Sequence, residues 1–323
     1  MKTLKDYISE KLIFEDSSIS ATDMEVMICY AHNAQRGFFN TNIANLKYCT
    51  NGSPTKEERK IPNKYKNNQE IYDSIVKDLY NLGKLRKLDT KEVSMTSVWK
   101  KLGRIDTGEV PIDNTPKTDI ICDDEKIKIS VKKGNGNPAQ LCSAKLPEAK
   151  ATLMYAKDKL KEDDEIELLN TILSAENWKS FTKLSKSITD IINDPDFEDI
   201  ALKREIEDAK TNNKKVQEIL QKLMSNTGYA EAVVYEAATG TIKFGKNNEA
   251  CANAFFEWDT KGFGKYWPDV DAYLSSHGAR ITIETADDIA DAKTNKGITL
   301  QTNFKTNGKE YKNAYTCMRI QIK

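Results

Sequence analysis

The chain has 323 residues, 39% apolar and 30% charged, which suits a hydrophilic globular protein of one large or two ordinary domains and excludes a disordered chain. Its 49 basic and 49 acidic residues cancel, so any nucleic-acid binding has to come from local patches rather than from a global field. No run of about 18 apolar residues predicts a membrane span, and the opening "MKTLKDYISEKLIFEDSS" lacks the apolar stretch of a signal peptide, so the expected compartment is the cytoplasm.

Met24, Met27, Ile28 and Ala31 recur at helical spacing and predict a helix over 18–34, with Glu25 on the flank of its apolar stripe. From 37 to 68 the chain is polar; "PTKEERKIPNKYKNN" reads as a basic arm facing nucleic acid or as a solvated loop. Ile71, Ile75, Leu79 and Leu82 predict a second helix over 69–83, and "SMTSVWKKL" a short third one. "TDIIC" and "KIKISVK" then read as two strands around the polar turn "DDEK", and "GNGNP" is a strong break. A helix is expected over 138–159, kinked or restarted at Pro147.

Beyond it, 162–224 is highly charged and carries helical stripes throughout, including "SFTKLSKSITDIIN", which predicts a helical connector. "AEAVVYEAATGTIKFG" reads as a helix or strand, a glycine turn and a strand, and "ARITIETA", "GITLQTNFKT" and "TCMRIQIK" as strands. The expected layout is three consecutive pieces: a core over 1–160, a connector over 161–226 and a smaller α+β unit over 227–323. The fold class is α/β (α+β), a mixed sheet flanked by helices.

The strand pair carries the chemistry. A turn centred on Asp124 and Glu125 sets Asp123 opposite Lys126 and, further out, Asp119 opposite Ser130. Side chains two apart share a face, so Asp119, Ser130 and Lys132 emerge on one side, with Ile121 and Lys128. Ile120, Cys122, Ile127, Ile129 and Val131 make the opposite, core-facing side. A carboxylate that binds Mg²⁺ through oxygen, beside a lysine that positions the attacking water or neutralises charge, suits phosphodiester hydrolysis. The same Asp119 and Lys132 also read as a plain solvated cross-strand pair.

Other features point less far. Six cysteines without C-x-x-C spacing and only two histidines argue against structural zinc and for reduced, buried thiols. Phe255, Phe256, Trp258, Tyr266 and Trp267 lie near lysines and read as base-stacking residues or as core. His32 and His277 read as structural, and "GNGN" lacks the rest of a P-loop.

"PKTD" followed by "ISVK" resembles the PD-(D/E)xK, restriction-endonuclease-like nuclease superfamily, and the helix "DMEVMICYAHN" before it adds to the likeness with uncharacterised phage-type members. The resemblance covers about 18–160. It implies a restriction-endonuclease-like core and a Mg²⁺ (or Mn²⁺)-dependent DNA endonuclease. By the same resemblance Asp119 is the metal-binding aspartate and Lys132 the motif lysine. Glu25 is the first-helix glutamate that completes the metal shell, and Gln140 the glutamine on the helix after the lysine strand. Lys133 reads as a flanking phosphate contact or as a solvated side chain, Asn135 is expected with it as a nucleic-acid contact, and a homodimer would cut both strands. Ser130 departs from the acid expected there: it either helps directly or through water, or marks a fold kept for DNA binding or a structural role after activity was lost.

Overall fold

The computed structural model describes residues 21–37, 77–88, 93–105, 114–134, 139–145, 147–186, 188–259, 264–276, 298–303 and 312–322. In chain order these form α1 (Ala21–Gln35), β1 (Leu85–Lys87), α2 (Ser97–Gly103), β2 (Ile120–Cys122), β3 (Ile127–Gly134), β4 (Ala139–Lys145), α3 (Glu148–Tyr155), α4 (Asp163–Ile172) and β5 (Ser180–Leu184). Then follow α5 (Ile188–Asn193), α6 (Ile200–Ser225), α7 (Thr227–Thr239), α8 (Thr241–Phe244), β6 (Ala254–Asp259), β7 (Gly264–Trp267), α9 (Val270–Ser276), β8 (Ile298–Asn303) and β9 (Lys312–Ile322). No described helix is long and apolar enough to cross a membrane.

The chain divides into two units, and neither is a continuous piece. The first draws on Met1–Val93, Pro116–Asn137 and Asn247–Tyr273; the second on Ser94–Thr115, Pro138–Lys246 and Leu274–Lys323. The three consecutive pieces expected from the sequence therefore do not match the units. The reason is β6: although it lies beyond the supposed connector, it pairs with β3.

The first unit is a mixed α/β layer structure. Its five-stranded sheet has the order β1-β2-β3-β6-β7. All pairings are antiparallel except β3 with β6, which is parallel. The hairpin register is the one expected, Ile120 opposite Ile129 and Cys122 opposite Ile127. The parallel pairing starts at Asn253, whose backbone N–H donates to the Lys128 carbonyl and whose side-chain oxygen accepts the Lys128 N–H. α1 covers one face: Met24, Met27, Ile28 and Ala31 bury against Leu85, Ile120, Cys122, Ile129, Ala254 and Phe256. Each fully buried aliphatic side chain in this layer contributes about 1.5–3 kcal/mol. On the other face the Phe255 ring stacks on Tyr273 of α9, with ring centres 4.1 Å apart.

The C-terminal half of α1 also builds the sheet edge. The Asn33 side chain donates to the Leu85 carbonyl at 2.7 Å and accepts the Leu85 N–H at 2.9 Å. His32 Nε2 lies 2.8 Å from the Gly83 carbonyl and 3.1 Å from that of Leu82, the structural role expected of it. Burial lowers its pKa, which favours the neutral ring. These bonds hold β1 on α1.

The second unit gathers β4, β5 and β8 around β9, all antiparallel, with most of the helices. Three expectations change here. Residues 139–145 form β4 and not the start of a helix, because β9 supplies a strand partner from Ile322 to Cys317; the helix starts only after Pro147. "SFTKL" is β5, again paired with β9. "TGYAEAVVYEAAT" and "TIKF" are both helical, joined at Gly240 in the left-handed conformation (φ 66°). Glu236 accepts the Ile242 and Lys243 N–H groups, and Lys243 pairs with buried Glu148. Among the described residues Cys29, Cys122, Cys142 and Cys251 form no disulfide.

Candidate active site

The site lies in the first unit, where β2 and β3 part company. Upstream of β2, the Lys117 and Thr118 N–H groups both donate to the Ala250 carbonyl, at 2.9 and 3.3 Å. The chain before Asp119 thus follows the 248–251 turn, while β3 runs on to Gly134. Asp119 stands at the fork. Its Oδ2 accepts the Val131 N–H at 2.6 Å and lies 3.4 Å from Ser130 Oγ. The carboxylate takes the place of a strand partner and is thereby fixed in direction.

Glu25 reaches the same place from the second turn of α1. It is buried and ion-paired with Lys87 at the end of β1. Burial is the main cause raising the Glu25 pKa, and the Asp119 charge raises it further; Lys87 and then Lys132 pull it down. Asp119 is also raised, again chiefly by burial, against lowering by Lys132, the Val131 N–H, Lys87 and Ser130. Both lysines are therefore close enough to bear on both carboxyls. Lys132 is half-buried on β3, next to Glu257 of β6 in the parallel register. Glu257 accepts a hydrogen bond from the Tyr273 hydroxyl at 3.1 Å.

Ser130 lies beside Asp119, and Glu25 and Lys132 are within electrostatic reach of it. Ser130 is completely buried. Gln140 does not fit its expected place, since it lies on β4 in the second unit and not on a helix following β3. The Lys133 side chain and all of Asn135 fall outside the described residues. Lys128, on the same face, is turned to a structural use: its Nζ donates to the Asn248 carbonyl at 3.0 Å. Phe255, Phe256 and Trp258 are core, not a stacking surface.

Sequence reasoning missed Lys87 and Glu257. Lys87 sits in a three-residue strand with no alternating pattern to reveal it. Glu257 becomes visible only once β6 is known to lie beside β3.

Glu25, Asp119 and the Ser130 hydroxyl are hard oxygen donors, the chemistry that Mg²⁺ or Mn²⁺ selects. Two partly desolvated carboxyls, both raised in pKa chiefly by burial and Glu25 further by the Asp119 charge, are what a divalent cation would relieve, so the donor set fits. Among the described residues no group of three or more Asp, Glu, His or Cys side chains is gathered to hold a metal, and Glu25 with Asp119 makes a two-carboxylate set. Comparison with family models, curated proteins and solved structures brings no match.

Proposed function

We propose that the protein is a metal-dependent DNA endonuclease with a restriction-endonuclease-like core of the PD-(D/E)xK kind. What supports this reading is that buried Glu25, from a helix far away in sequence, is ion-paired with Lys87 and lies within electrostatic reach of Asp119 and Lys132, while Asp119 is held by Val131 and Ser130 at the fork of β2 and β3. A solvated cross-strand pair would need neither the buried glutamate nor the opened sheet.

In this reading Asp119 and Glu25 hold the metal, with Ser130 beside them. A bound Mg²⁺ or Mn²⁺ supplies an acidified water and charge neutralisation at the phosphate. The Val131 N–H keeps Asp119 aimed. Lys132 holds a proton at Nζ next to the attacking water and offsets negative charge on the phosphate oxygens. Cutting of both strands would call for two copies of the chain.

Ser130 favours a second reading, in which the fold is retained for DNA binding or a structural role without cutting. Plasmid DNA incubated with Mg²⁺ or Mn²⁺ separates the two. Metal-dependent cutting, reduced about 100-fold or more by both Asp119→Ala and Lys132→Ala, is expected. Intact DNA of every form, with no metal binding that depends on Asp119, would overturn the enzyme. RNA tested in parallel decides the nucleic acid.

A further inference from the structure

We infer that Lys87 is a built-in counter-ion of this site: its ammonium holds the cation position on Glu25 until a divalent ion takes it, and it then contacts a phosphate of the nucleic acid. This rests on the nuclease reading.

Three observations carry it. First, Lys87 is placed by the fold. Asn33 clamps Leu85 on both its N–H and its carbonyl, and Lys87, two residues on, shares the face of Leu85 toward α1. Its ammonium pairs with Glu25 there, with side-chain exposures of 24% and 10%, so the pair is shielded from water rather than displayed on the surface. Second, Glu25 and Asp119 both feel the charges of Lys87 and Lys132, and Ser130, where an acid would add negative charge to draw a metal, is neutral. Third, the Lys87 ammonium already sits on Glu25 Oε2, so it competes with any cation for that oxygen. A divalent ion taken up there must displace the lysine, which leaves the site with excess positive charge and a freed ammonium on a flexible four-carbon stem. A phosphodiester is the anion that such a site would collect.

The test is calorimetric titration of the full chain with Mn²⁺ or Mg²⁺ in the absence of nucleic acid. Lys87→Met is expected to bind the metal about tenfold more tightly, because the competing ammonium is gone. Lys87→Arg keeps the charge and grips a carboxylate with a fork, so it is expected to bind metal more weakly than the native chain. An affinity for Lys87→Met equal to or weaker than native overturns the competition. Should Lys87→Met fail to fold, Lys87→Arg decides alone: equal or tighter metal binding overturns it. Duplex binding with metal present is compared in a Lys132→Ala background, which suppresses cutting; Lys87→Met is expected to weaken it about three- to tenfold, and no change overturns the phosphate contact. Asp119→Asn marks the boundary with the nuclease reading. If it leaves metal binding untouched, that reading fails; if it abolishes binding while Lys87→Met does not tighten it, only the counter-ion inference fails.

Discussion

Ser130 is fully buried beside Asp119, where a carboxylate would add a third negative charge to two already raised in pKa chiefly by their own burial. Ser130→Asp therefore has a two-sided outcome. Without divalent ions it is expected to lower stability by about 2–4 kcal/mol, the cost of a buried charge with incomplete partners. With Mn²⁺ the thermal midpoint should recover beyond that of the native chain under the same conditions. Melting curves with and without metal check this; a loss that Mn²⁺ does not repair would place position 130 away from the metal. Asp119, Ser130 and Lys132 were legible in the sequence for one physical reason. A strand repeats every two residues, and the turn fixed the register, so their shared face followed without knowledge of the rest of the chain. Lys87 has no such local signature.

At the scale of elements, the site depends on how α1 carries β1. The two Asn33 bonds replace the strand partner that Leu85 lacks on that side, and they set the distance between Lys87 and Glu25. Asn33→Ala would leave a buried N–H and a buried carbonyl without partners, at an expected cost of about 2–4 kcal/mol in denaturant unfolding. Metal affinity should fall with it, since Glu25 and Lys87 would no longer be held in register; unchanged unfolding would mean that packing alone carries β1. The helix-to-strand changes at 139–145 and 180–184 have a common cause. Both segments pair with β9, which arrives at 312–322, and a partner so distant overrides local pattern. "AQLCSAK" contains nothing that specifies a strand by itself, and so Gln140 was placed on a helix. α1 shows the opposite case: the four residues the spacing named are all buried, joined by Val26 and Cys29 because the helix is covered on more than one side.

The whole molecule is two units wound through each other in sequence. A cut at 226 would look harmless if the chain were three consecutive pieces. Instead it removes β6 and β7 from the first unit and β8 and β9 from the second. A truncated chain ending at 226 is expected to lose cooperative unfolding and near-ultraviolet dichroism, while retaining helical signal from α4 and α6. A sharp, native-like melt from that chain would refute the interleaved layout. The same layout has a consequence in time. Lys128 and Asn253, which start the parallel pairing, are 125 positions apart. During synthesis at about 5–20 residues per second, Asn253 follows Lys128 by about 6–25 s. Through that interval the strand bearing Lys132 has been made and its parallel neighbour has not, so the five-stranded sheet cannot close until β6 emerges. The order of translation thus delays the candidate site's β3 strand from gaining its parallel partner until the chain is more than three-quarters made.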